Sequence, residues 1–247
     1  MTRFILSALF GATMLARAQP VVGSVSDHNA HAWLMYFGDH KVSEKWGVHL
    51  EGQLRRADIG TEQQQLLFRP AVNYHPYKNI TLTTGYAYAR TFRYGEFPAP
   101  NPFPEHRIYE QALIRQSVGP VALQHRYRLE QRWIGVVPGG ATQGQVSTWR
   151  TQDRFRYMFR ADIPIKGRWS LGTYDELFVN FGRNLGPNVF DQNRAYAAVG
   201  YNTGKFGRLE IGYMNQILAQ RNGNVLEFNH TAQIGFFSTF PFRKAKP

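Results

Sequence analysis

The segment that decides the fold runs from Val121 to Trp133 and reads VALQHRYRLEQRW. Apolar and polar residues alternate along it with a period close to two. Because successive side chains of a β-strand point to opposite faces, this alternation predicts a strand with one apolar and one polar face. The apolar face would carry Val121, Leu123, Tyr127, Leu129 and Trp133, and the polar face Gln124, Arg126, Arg128, Glu130 and Arg132.

The same alternation recurs along the chain, and helical periodicity is nowhere comparably strong. The clearest further segments are WGVHLEGQLR at 46–55, LLFRPAVNY at 66–74, ITLTTGYAYA at 80–89, RFRYMFRADI at 154–163 and TAQIGFFSTFPF at 231–242. The sequence therefore predicts an all-β protein.

The connections between these segments alternate between short and long. Short polar turns fall near 42–45, 75–79, 118–120, 164–168 and 204–207, and longer loops near 57–62, 95–104, 135–146, 181–191 and 221–225. Outer-membrane barrels sort their hairpins in this way, with short periplasmic turns and longer extracellular loops. We therefore predict a single antiparallel transmembrane β-barrel. A lipocalin-like soluble barrel is the alternative.

The number of strands follows less directly from the sequence. Breaks in the alternation delimit eleven strands from Ala32 onward. Single-chain bacterial barrels usually have an even number, which calls for one more strand, at Val21 to Ser26. We expect about twelve strands, with ten as the alternative.

The N-terminus predicts export. Arg3 precedes an apolar run from Phe4 to Leu15, and the small-x-small motif Ala16-Arg17-Ala18 follows. This is the order of a secretory signal peptide, and the run is too short to span a bilayer as a helix. We therefore expect a signal peptide at 1–18 and a bacterial outer-membrane barrel at 19–247. Outer-membrane lipid and, during insertion, the barrel-assembly machinery would be its partners.

Charge and composition narrow the function classes. The chain carries a net charge of +12, and removal of Arg3 and Arg17 leaves 27 basic and 17 acidic side chains, or +10. An exported protein rarely meets nucleic acid, so no nucleic-acid partner is expected despite this charge. There is no cysteine, which excludes disulfides and thiolate metal sites. A mean hydropathy of −0.41 agrees with strands that present only every second residue to lipid. No cofactor or metal is predicted.

Arginines concentrate on the polar faces of two neighbouring segments, 121–133 and 149–163. We call this set the arginine wall: Arg126, Arg128, Arg132, Arg150, Arg154, Arg156 and Arg160. Glu130 and Asp162 are interleaved with it. If the polar faces point inward, the arginine wall would line the lumen of the barrel.

Two interpretations of the arginine wall stay open. Small barrels fill their interior with side chains, and pairs of arginine and glutamate would do so while satisfying each other. Glu51, Glu110 and Glu176 are candidate partners, with Arg128 opposite Glu110 and Arg156 opposite Glu176 in the simplest registers. Alternatively, guanidinium groups in excess over acids would make a narrow channel for small anionic solutes.

An enzyme is the alternative from another class, namely an outer-membrane lipid-modifying hydrolase. His230 lies on the apolar face of the last strand near its outer end, where such an enzyme would place a catalytic histidine. Thr231 follows it directly, but Ser238 lies near the other end of the strand and no acid falls on the same face. No catalytic residue is therefore assigned.

The whole mature chain resembles the DUF2490 family of uncharacterised bacterial envelope proteins. The most specific matching pieces are EHRIYEQ at 105–111 and HRYRLEQRW at 125–133. Others are EKWGVHLEGQLR at 44–55, LLFRPAVNYHPYKNITLTTGYAY at 66–88, RFRYMFR at 154–160 and DELFVNFG at 175–182. The resemblance implies an outer-membrane barrel and supplies no activity. One departure is that Phe242 is followed by a basic tail, where outer-membrane strands usually end on an aromatic residue.

Overall fold

The described part of the chain folds into a closed barrel of eleven strands. The computed structural model describes residues 25–140, 145–183 and 185–242. The strands are β1 (Val25–Lys41), β2 (Trp46–Ala57), β3 (Glu62–Tyr77), β4 (Ile80–Thr91), β5 (Phe103–Val118), β6 (Val121–Val136), β7 (Thr148–Lys166), β8 (Trp169–Phe181), β9 (Phe190–Asn202), β10 (Arg208–Ala219) and β11 (Val225–Ser238). Each strand pairs with its neighbours in the chain, and β1 pairs with β11 to close the barrel. The prediction of an all-β barrel is confirmed.

The described residues form eleven strands, between the two numbers expected. Ten consecutive pairs are antiparallel, and the closing pair of β1 with β11 is parallel. The parity argument for a twelfth strand does not apply, because a parallel seam closes an odd number of strands. Of the extra strand predicted at Val21 to Ser26, the last two residues begin β1, and 21–24 lie outside the described residues, as do the signal peptide and the basic tail.

The two ends of the barrel differ, as the connection lengths indicate. The longer connections lie at one end, which we call the loop end, together with the turn at 58–61; their described parts are 92–102, 137–140, 145–147, 182–183, 185–189 and 220–224. The short turns and the end of β11 lie at the other, which we call the turn end. β1 begins at the loop end, because it runs parallel to β11.

Contacts tie the long loops into one cover over the loop end. Asn101 donates to the carbonyl oxygen of Pro138 at 2.5 Å, and Gln220 donates to that of Phe97 at 3.0 Å. Asn188 donates to the carbonyl oxygen of Ala219 at 2.7 Å. The proline-rich loop between β4 and β5 is therefore part of this cover.

The outer face of the barrel is apolar and the inner face is polar. Large exposed apolar side chains include Leu34, Leu54, Leu66, Phe68, Leu82, Ile108, Leu129, Phe159, Leu177, Val199, Ile211 and Ile234. The inner face carries buried charged and amide side chains, and one apolar cluster of Trp33, Met35, Tyr196, Ala198 and Met214. Within the described residues, no helix is long and apolar enough to cross a membrane.

Candidate functional site

A cavity of about 1290 Å³ occupies the interior of the barrel. Phe97 and Pro100 of the proline-rich loop line it at the loop end, and Asp39, Arg115 and Thr239 line it at the turn end. The space that is left between the inner side chains therefore extends along the whole barrel. It is the candidate site.

The cavity is strongly positive. Among the described residues, fourteen arginines line it and no lysine does, against six acidic side chains. Three further buried acids, Glu130, Asp162 and Glu210, pair with arginines behind the cavity surface. Asp27 is a fourth buried acid on the inner face. Even with these four, ten acids face fourteen guanidinium groups, so the described interior carries an excess of positive charge.

A chain of ion pairs connects β6, β7 and β8 at mid-height. Glu130 accepts from Arg154 at 2.5 Å and from Arg156 at 2.7 Å. Arg156 also donates to Glu176 at 2.9 Å, and Arg126 donates to the same carboxylate at 2.7 Å. Each buried acid is thus shared between two arginines, which satisfies the charges that burial would otherwise penalise.

Similar pairs occur toward both ends. At the turn end, Asp162 and Glu210 pair with Arg160 and Arg208. Toward the loop end, Glu105 accepts from Arg107 at 2.7 Å and from Arg132 at 2.5 Å. Glu51 pairs with Arg69. The pairs of Arg160 with Glu210 and of Arg208 with Asp162 join β7 to β10. The other pairs lie within one strand or between neighbouring strands.

The structure places all seven residues of the arginine wall on the inner face, where they line the cavity. Five of them pair with acids within 3.0 Å: Arg126, Arg132, Arg154, Arg156 and Arg160. Arg128 instead donates to the amide oxygen of Gln111 at 2.5 Å and lies 3.7 Å from Glu130. Arg150 has no hydrogen-bond partner for its buried Nε among the described residues.

Of the three acids predicted as partners, two lie inside. Glu51 and Glu176 pair with arginines. The residue directly opposite Arg156 is Phe178, yet the diagonal contact with Glu176 forms. The prediction for Glu110 is wrong: its side chain is exposed on the outer face and accepts a hydrogen bond from Gln131.

The physical reason for the error at Glu110 is register. Arg128 stands opposite Gln111, one residue from the predicted partner. Because side chains alternate with a period of two, a slip of one residue exchanges the two faces of a strand.

Sequence reasoning missed two inner arginines that contact Trp33, namely Arg55 and Arg194. Their guanidinium carbons lie 3.9 and 5.2 Å from the centroid of the Trp33 ring. Each hydrogen-bonds a glutamine two residues earlier on its own strand, Gln53 or Gln192. A Gln-x-Arg pair on a polar face was the available signal, because residues i and i+2 of a strand share a face.

His230 lies on the outer face and is exposed. Its Nδ1 is 2.6 Å from the hydroxyl of Tyr213, and its ring stacks against those of Tyr213 and His28. Within the described residues, neither a serine nor a carboxylate hydrogen-bonds to it. The contacts that the structure describes for His230 are therefore with aromatic rings and a phenol hydroxyl.

Tyr94 lies in the proline-rich loop and points into the barrel. Its hydroxyl donates to Glu227 at 3.2 Å. Burial, with the Glu227 carboxylate acting in the same direction, raises the pKa of the Tyr94 phenol above its usual range. Tyr94 therefore stays a neutral hydrogen-bond donor that anchors the loop to β11.

Sequence comparison relates the chain to a bacterial protein and to a family model. An uncharacterised protein of Methylorubrum extorquens is 26% identical over 188 residues, which cover 72% of this chain and 73% of that protein. No solved structure gives a significant match. The profile described as protein of unknown function DUF2490 matches residues 30–227, most of the barrel. The chain therefore belongs to the DUF2490 family.

Proposed function

We propose that this protein is an integral β-barrel of the bacterial outer membrane whose interior admits small anionic solutes. Three features support the membrane location: the predicted signal peptide, the closed barrel and its apolar outer face. Leu129 is 42% exposed and Phe68 is 54% exposed at the middle of their strands. Large exposed apolar surfaces are costly in water and suited to lipid.

The observation that carries the anionic solute is the excess of arginine along a cavity that runs from end to end. Acids neutralise only some of the inner arginines. The structural interpretation of the arginine wall therefore applies to the paired arginines, and the channel interpretation to the others. Paired arginines such as Arg154 and Arg156 hold the strands together. The remaining positive charge creates a field that attracts anions and repels cations.

Orientation and partners complete the proposal. Bacterial barrels place short turns in the periplasm and long loops outside. The turn end would then face the periplasm, and the linked loops would cover the outer opening. Outer-membrane lipid contacts the apolar face, and the barrel-assembly machinery inserts the chain.

The first test is location. Fractionation of a Gram-negative host should recover the mature chain in the outer membrane, as a band whose gel mobility changes on heating. Recovery as a soluble periplasmic protein would contradict the membrane part of the proposal.

The second test is conductance of the refolded protein in a planar bilayer under a salt gradient. We expect current steps whose reversal potential indicates anion selectivity. Selectivity should fall as salt rises, because the Debye length is about 10 Å at 0.1 M and 3 Å at 1 M. Arg150→Gln, inside the cavity, should lower selectivity, whereas the control Arg56→Gln, which bonds loop carbonyls outside the cavity, should not. Silence, or cation selectivity, would refute the anion pathway.

A further inference from the structure

Two inner arginines, Arg55 and Arg194, are held in position without being neutralised. Arg55 makes three hydrogen bonds of 2.6–2.8 Å, all to the amide oxygens of Gln53 and Gln65. Arg194 donates through Nε to Gln192 at 2.9 Å. Among the described residues, neither has a carboxylate within ion-pair distance, in contrast to Arg154 and Arg156.

Aromatic rings fix both guanidinium groups as well. Arg194 lies between Trp33 and Phe178, with its guanidinium carbon 5.2 and 4.8 Å from the two ring centroids. Arg55 stacks on Trp33 at 3.9 Å. The indole itself is anchored, because Trp33 Nε1 donates to Gln64 at 2.7 Å. The groups are therefore pre-oriented before any ligand arrives, which lowers the entropy cost of binding.

The two guanidinium groups lie close together, because both adjoin the Trp33 ring. Both contact the same indole ring, so their guanidinium carbons are at most about 9 Å apart. A carboxylate or phosphate held by both through N–H···O bonds of 2.7–2.9 Å spans roughly 8 Å between the two carbons, a spacing that this upper limit allows. Both arginines line the cavity, and Nε is the only nitrogen of Arg194 with a hydrogen-bond partner among the described residues.

Burial of the Arg194 side chain favours an anion as its binding partner. Arg194 is only 9% exposed, and a buried charge without a counter-charge is strongly unfavourable. Glutamine oxygens orient the donors but bring no negative charge. An anionic group entering from the cavity would supply it.

We propose that Arg55 and Arg194 form a binding site for the carboxylate or phosphate group of a small soluble solute inside the barrel. This site deepens the proposed function and rests on it for the entry of the solute. The acid-paired arginines are excluded from the site because a carboxylate already neutralises each of them.

The test is calorimetric titration of the full mature chain in detergent micelles, at constant ionic strength. The probes are inorganic phosphate and succinate, and succinamide is the neutral counterpart of succinate. We expect saturable binding of phosphate or succinate with about one site per chain, and none of succinamide. Binding beside Trp33 should also change the tryptophan fluorescence of the protein. The contribution of Trp33 to this change should be absent in a Trp33→Phe variant.

Variants locate the site. Arg55→Gln and Arg194→Gln should each weaken binding at least tenfold, and Arg194→Lys, which keeps the charge but loses the planar fork, should weaken it less. The matched control is Arg115→Gln, because Arg115 lines the cavity at the turn end, bonds only Thr81 and also lacks a carboxylate partner in the described chain. It should change affinity less than twofold. Sheet content and heat-dependent gel mobility verify the fold of each variant.

Three outcomes would overturn the site: no saturable binding, equal binding of succinamide, or equal losses for Arg115→Gln and Arg194→Gln. Equal losses would mean a diffuse field instead of a site. Failure of the proposed function looks different. Saturable phosphate binding without current would support the site and refute the anion pathway. Anion-selective current without saturable binding would support the pathway and refute the site.

Discussion

Glu105 and Glu130 are both buried acids that bridge two arginines, yet their removal should have different costs. Glu105 is 2% exposed and accepts three hydrogen bonds, from Arg107 at 2.7 and 2.9 Å and from Arg132 at 2.5 Å. Within the described residues, neither arginine has a second carboxylate. Glu105→Gln therefore leaves two buried guanidinium groups without a counter-charge.

Glu130 is equally buried, but the two arginines that hydrogen-bond to it have other carboxylates. Arg128, 3.7 Å from Glu130, loses a longer contact and keeps its hydrogen bonds to Gln111. Arg154 keeps Asp191 at 2.7 Å, and Arg156 keeps Glu176 at 2.7 Å. Breaking a buried ion pair by removing one partner costs about 3–5 kcal/mol. We place Glu105→Gln at the upper end of this range and Glu130→Gln at the lower end, so that the difference in unfolding free energy is roughly 2 kcal/mol.

The measurement is urea unfolding of the refolded protein in lipid vesicles, followed by tryptophan fluorescence and extrapolated linearly to zero urea. Glu44→Gln in the exposed turn after β1 is the control and should change stability by less than about 0.5 kcal/mol. Equal losses for the two buried acids, or a loss below about 1 kcal/mol for Glu105→Gln, would refute the account of shared charges.

Three further changes test other parts of the structure by the same unfolding measurement. Leu129→Arg, at the middle of β6 on the outer face, should cost about 2–4 kcal/mol and Val118→Arg, at the turn end, about 0–1; equal costs would contradict a lipid-facing belt. Tyr109→Phe should be neutral within about 0.5 kcal/mol or stabilising, because its buried hydroxyl has no partner among the described residues; a loss above 1 would reveal a missing partner. Gly207→Ala should lower the free energy of unfolding more than Gly204→Ala does. We put the loss for Gly204→Ala at about 1 kcal/mol. Both glycines have positive φ, but only at Gly207 would a Cβ overlap the backbone of β11, and similar losses would mean that the turn adapts.

The faces of the strands could be predicted from the sequence because the period of two is a local property. Arg126, Arg154 and Arg160 follow this pattern into the interior, and Leu123 and Phe159 follow it outward. The same reasoning could not give the strand number. Whether β1 meets β11 parallel or antiparallel depends on closure of the whole sheet, which leaves no mark in any one segment.

Register and long-range partners were also beyond local reasoning. The sequence around Gly119 did not give the register of this hairpin: the predicted one places Glu110 opposite Arg128, and the observed one, shifted by one residue, places Gln111 there. The pair of Arg160 with Glu210 joins residues 50 positions apart on strands that are not neighbours. Such contacts across a lumen depend on barrel curvature and side-chain reach.

The parallel seam has a consequence for how the barrel assembles. Its register runs from Val25 opposite Val225 to Gly38 opposite Ser238, so each pair is separated by 200 residues of chain. Every other strand pair can form as a local hairpin. Because loop-closure entropy grows with the logarithm of length, joining residues 200 apart costs roughly 3 kcal/mol more than closing a hairpin of about six residues.

Closure of the seam is therefore expected to come last, after a curved sheet with two free edges has formed. Until then, β1 and β11 expose unpaired backbone groups. Such exposed strand edges can form hydrogen bonds with other chains and promote aggregation. The slow step of folding would be the meeting of these two edges, and changes confined to the seam would alter the rate of closure and the yield of monomer more than changes within any hairpin.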